Sequence, residues 1–87
     1  MNKVNVSTFR TSTDRLFTIA NIDYNACVDN KDMLELKNWI ARAVTSLGVV
    51  ELMECKRANQ YDIEQYNKSI TAIKEKILIA KERINNH

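Results

Sequence analysis

The last third of the chain carries its most regular apolar pattern. Ile63, Tyr66, Ile70, Ile73, Ile77, Ala80 and Ile84 follow one another in alternating steps of three and four. That spacing lines a single stripe of an α-helix, so a heptad helix is predicted over 62–86 with its isoleucine seam against another helix. A second series, Met33, Leu36, Ile40, Ala43, Leu47 and Val50, uses the same steps. Trp39 and Val44 widen its face, and Asp32 and Glu35 sit where a helix start favours acidic groups. It predicts a long helix over 30–57. Gly48 falls inside this pattern and marks a kink, a close helix contact or an early end. Continuing the seam past Val50 would bury Glu54 and Arg57, so the pattern breaks between Cys55 and Tyr61. The break is either a turn or a change of register within one helix. Asp62 followed by Gln65 resembles a capping box opening the last helix.

The first thirty residues are less regular. Residues 1–11 are polar, with Val4, Val6 and Phe9 as isolated apolar points, and read as an extended arm or a short strand, with the arm expected. Ser12, Thr13 or Asp14 can cap a short helix whose apolar face is Leu16, Phe17, Ile19 and Ala20. The Asn- and Asp-rich run from Asn21 to Asn30 favours turns, so a short helix and turn is predicted over 12–27. The chain is thus read as one all-α domain, a helical hairpin or bent long helix pair with a short N-terminal helix packed on it. Composition agrees: 87 residues hold one glycine and no proline, too few turn formers for a sandwich or barrel.

Candidate chemistry is sparse. The single histidine, His87, is the last residue and is expected to be solvated. Cys27 and Cys55 are expected to be reduced and buried, in a cytoplasmic protein with no apolar leader at its start. No phosphate-binding glycine loop, zinc-ligand spacing or nucleophile–histidine pair is available. The expectation is a protein that is not an enzyme and takes no cofactor or metal. No stretch is apolar enough to span a membrane.

Charge adds more. Residues 1–55 hold six basic and seven acidic side chains, whereas residues 56–87 hold seven basic and four acidic. In the last helix Lys74 and Lys81 flank the seam on one side, and Lys76 and Arg83 on the other. A parallel homodimer through this seam would set like charge against like and is disfavoured. An acidic surface on another protein is the natural complement. Ile77, Leu78, Ile79 and Ala80 are apolar around the whole helix, so either the N-terminal segment or a partner covers Leu78 and Ile79. The partner-facing set is therefore read as Lys74, Lys76, Leu78, Ile79, Lys81 and Arg83. A coiled-coil subunit of a larger assembly would explain the same pattern. A small nucleic-acid-binding regulator is a weaker alternative, since a net charge of +2 is modest and direct nucleic-acid binding is disfavoured.

Three groups of residues carry a resemblance. They are Ser7-Thr8-Phe9 with Ser12-Thr13-Asp14 and Leu16-Phe17; Leu36-Lys37 with Trp39-Ile40 and Ala43-Val44; and Tyr66-Asn67-Lys68 with Glu75-Lys76-Ile77. In layout the chain resembles the small, all-helical, phage-encoded anti-CRISPR proteins of the type II-C inhibitor kind. The resemblance implies a stoichiometric inhibitor that binds a CRISPR effector nuclease and blocks capture of target DNA.

Overall fold

Asn5, not a residue near Ser12, opens the first helix. The computed structural model describes residues 2–30 and 32–86. In it Asn5 has extended backbone (φ −80°, ψ 170°), and its side-chain oxygen accepts the Thr8 N–H at 2.8 Å. This cap satisfies one of the free donors of helix α1, Val6–Thr18. The expected arm over 1–11 is therefore mostly helix. Its apolar stripe is Phe9, Thr13 and Leu16, all buried. Thr13 interrupts the stripe chemically, which is why Phe9 looks isolated in the sequence.

The Asn-rich run is helical too. A π-helical turn, Ile19–Asp23, joins α1 directly to α2, Tyr24–Asn30, with right-handed helical backbone at both junctions. Besides Ile19, the buried positions run Leu16, Ala20, Tyr24, Cys27. Two successive steps of four would drift off an ordinary helix stripe, and the wider π turn absorbs that drift. The Asn21 side chain donates to the Phe17 carbonyl at 3.0 Å and so supports the helix instead of breaking it.

Helix α3, Met33–Glu51, is capped by Asp32, whose carboxylate accepts the Leu34 N–H at 2.9 Å. It ends well before residue 57. Past Leu52 the chain forms a two-residue strand, β2, Met53–Glu54, paired in parallel with β1, Asn2–Lys3. The Leu52 and Glu54 carbonyls accept the Asn2 and Val4 N–H groups, each at 2.9 Å. The break is thus a turn, and the chain's N-terminal residues fix its place. Gly48 neither ends the helix nor fits a neighbour, because nothing lies within 4 Å of where its Cβ would stand. Glycine there costs about 1 kcal/mol relative to alanine.

Helix α4, Gln60–Asn85, opens with a capping box three residues earlier than the sequence suggested. The Asp62 N–H bonds Asn59 Oδ1 at 2.8 Å and the Asn59 N–H bonds Asp62 Oδ2 at 3.3 Å. Asp62 is buried and also receives a two-pronged contact from Arg10, Nε to Oδ1 at 2.9 Å and a terminal nitrogen to Oδ2 at 3.2 Å. Asp62, held by the exposed Arg10, takes the inward place at this end, and Ile63, the first residue of the predicted seam, is exposed.

The contacts Arg10–Asp62 and Lys76 over Tyr24 show that the first helix runs parallel to α4. Helix α3 runs antiparallel to α4, and the fold is all-α with the N-terminal helix packed on the α3–α4 pair. Trp39 is fully buried at the centre. Its indole N–H donates to the Ile19 carbonyl at 2.8 Å, and Tyr24 meets its ring edge-on with centroids 5.0 Å apart. Ile73, Ile77 and Ala80 close the core from α4, and Phe9 stacks on Tyr66 at 4.9 Å. The Tyr66 hydroxyl donates to the Val50 carbonyl at 3.0 Å, tying the end of α3 to the start of α4.

Candidate protein-binding face

Helix α4 presents its outer face along its whole length, and the six residues read as partner-facing divide into two groups there. Lys74 meets Glu51 Oε2 at 3.4 Å across to α3. Its charge is therefore shared with a carboxylate of the same molecule, so an external acidic surface is not its sole complement. Lys76 is half-buried, with Nζ 5.0 Å from the centroid of the Tyr24 ring. That cation–π geometry turns its ammonium inward over the core, so Lys76 serves the fold.

The other four point outward. Leu78 is 63% exposed and Ile79 43% exposed. The N-terminal segment covers neither fully: α1 and α2 pack along the Lys76 side of α4, where Ile79 stays partly open, and leave Leu78 on the opposite flank. Lys81 and Arg83 are exposed one turn further on. Arg83 edges a groove of about 490 Å³ beside Cys27, Met33, Asp29 and Asp32. Consecutive residues on a helix point about 100° apart, so Leu78 and Ile79 face different directions. Each has a cation three or four positions away: Lys74 and Lys81 beside Leu78, Lys76 and Arg83 beside Ile79. Glu75 and Glu82 lie between the two apolar side chains on the outermost ridge.

The Arg10 hydrogen bonds hold the Asp62 carboxyl below its ordinary range against the opposing effect of burial, and the Asn59 N–H adds to the lowering. Burial pushes the Cys27 thiol up, more than nearby Arg42 pulls it down. Such a thiol is mostly protonated and a poor nucleophile. Cys55 is half-buried and also unbridged. Among the described residues no three histidine, cysteine or acidic side chains gather as a metal-binding group, and no helix is long and apolar enough to cross a membrane. His87 lies outside the described residues.

A second apolar face emerges that the sequence reading did not single out. Leu34, Val44, Val49 and Leu52 are all exposed on the side of α3 away from the core. Val44 was expected to widen the buried face and does not. The missed signal is a second seam in α3, Leu34, Asn38, Ala41, Thr45, Gly48 and Leu52, in steps of four and three. Its small and polar members hide it from a search for large apolar residues.

No protein-family model, curated protein or solved structure matches the chain.

Proposed function

We propose that this protein is a non-catalytic, protein-binding inhibitor that docks through the outer face of the C-terminal half of α4. The observation that carries this reading is the pair Leu78 and Ile79, large apolar side chains left in solvent on a well-capped helix beside the exposed cations Lys81 and Arg83. Exposed apolar anchors rimmed by charge are the usual anatomy of a binding surface. The anchors supply affinity, while the cations steer encounter with an acidic surface and select among partners. The target that the resemblance implies is a CRISPR effector nuclease, with capture of target DNA as the step blocked.

The test is DNA capture by purified effector complexes of several CRISPR types, with and without the protein, alongside direct binding measurements. Leu78→Glu and Ile79→Glu are expected to weaken binding by about 30-fold or more, the equivalent of roughly 2 kcal/mol for a central anchor. Lys81→Glu with Arg83→Glu should chiefly slow association, and the defect should shrink as salt rises. Unchanged DNA capture across all types removes the effector as target. Wild-type binding by all of these variants removes the α4 face.

A further inference from the structure

We infer that the exposed face of α3 pairs with the same face of a second copy, antiparallel, about a two-fold axis between Ala41 and Thr45. This inference is independent of the α4 reading. Every residue of the seam Leu34, Asn38, Ala41, Thr45, Gly48 and Leu52 is exposed. Antiparallel pairing sets Leu34 against Leu52 of the second copy, Ala41 against its Thr45, and Asn38 against its Gly48. Leucines then close both ends and small side chains meet in the middle, where two helices approach closely. Gly48 is the chain's single glycine, and no neighbour within its own fold accounts for it.

Charge selects the occupant and the direction. Lys37, Val44 and Glu51 are spaced by sevens and run along one flank of the seam. In the antiparallel pair Lys37 faces Glu51 of the second copy, whose Oε2 meets Lys74 of its own chain at 3.4 Å and whose Oε1 is left for Lys37, and the two-fold repeats that contact. Val44 meets its own counterpart beside the axis. A parallel pair would instead put Lys37 on Lys37 and Glu51 on Glu51. On the other flank Arg42 lines a groove with Arg15, Thr18, Ile19 and Asp23, on the side of the first helix and the π turn. Helix α3 is 19 residues, or about 28 Å, long. One such helix pair lies at the small end of specific interfaces, so the dimer is a micromolar, concentration-dependent one.

Sedimentation velocity of the full chain from low micromolar to millimolar concentration should show the mass rising from 10.1 kDa toward twice that value. Lys37→Glu and Glu51→Lys should each weaken dimerisation about tenfold or more, since each reversal makes two symmetric contacts repulsive. The double reversal should restore it. With Cys55→Ser as background, Val44→Cys should cross-link to itself on oxidation, whereas Leu34→Cys at the far end should not. Circular dichroism checks that each variant remains folded, which is expected because all four positions are exposed. A chain that stays monomeric throughout overturns the inference. So does dimerisation insensitive to both single reversals, a double reversal no better than the singles, or ready self-cross-linking of Leu34→Cys.

Discussion

Replacing Trp39 with phenylalanine tests how the three helices are joined. The indole is fully buried and donates to the Ile19 carbonyl at 2.8 Å. That carbonyl lies at the π turn and also accepts the Tyr24 N–H from five residues on. The substitution therefore removes a bond without orphaning its acceptor, and the hydrogen-bond loss is about 1 kcal/mol. The phenyl ring leaves ~40 Å³ unfilled, which at ~24 cal/mol per Å³ adds ~1 kcal/mol. The edge-on contact with Tyr24 survives, because a phenyl ring can make it. The total is ~2 kcal/mol, and in a domain of this size each kcal/mol lowers the melting temperature by roughly 4–8 °C. Thermal and urea unfolding followed by far-UV circular dichroism, at low protein concentration so that self-association does not contribute, measures it. A loss below ~0.5 kcal/mol, the range of surface substitutions, would refute the account of Trp39 as the joint between the π turn and α3.

Two further stability measurements follow from the polar groups of the core. Thr13 is buried and its hydroxyl has no hydrogen-bond partner among the described residues; Thr13→Val keeps the shape, removes the desolvated hydroxyl and should stabilise by about 1 kcal/mol in urea unfolding. Asp62 is held below its ordinary value of 3.8, first by the Arg10 hydrogen bonds, so the native state binds its proton less readily than the unfolded chain does. The stability this confers is fully present above the ordinary value and is lost as pH falls through the lowered one. Stability measured as a function of pH should therefore decline on the acid side in the wild type, with a visibly shallower decline in Asp62→Asn.

The sequence discloses long elements and conceals joints. The seams of α3 and α4 are legible because an apolar residue fills every position of the repeat, and the box at Asn59 and Asp62 lies within three residues of its predicted place. Helix α1 is concealed by Thr13, a polar residue at a core position. The π turn is concealed because Asn21, Asp23 and Asn25 read as turn formers, whereas the Asn21 side chain bonds within the helix. The β1–β2 pair has two residues on each side, too short to have a period. It nonetheless decides where α3 stops, a consequence of contact between positions about fifty residues apart.

The face of α4 was legible as a set of residues but not as a division of labour among them. Flanking cations can be counted from a heptad; what they touch depends on the register between helices. The antiparallel register brings Glu51 to Lys74, and the parallel one brings the Tyr24 ring under Lys76. Two of the four cations are thereby engaged within the fold, and Lys81 and Arg83 carry the outward charge. That shifts affinity toward Leu78 and Ile79, which point about 100° apart with Glu75 and Glu82 on the ridge between them. A flat acidic surface can cover one of the two but not both, and pressing it on the ridge would set carboxylate against carboxylate. A partner that uses both anchors must be concave. It must put apolar walls on either side of the helix and hold its acidic groups toward Lys81 and Arg83, with polar or basic groups over the ridge. Such a groove recognises a helix by its anchors, so losing either anchor should cost more than losing either cation.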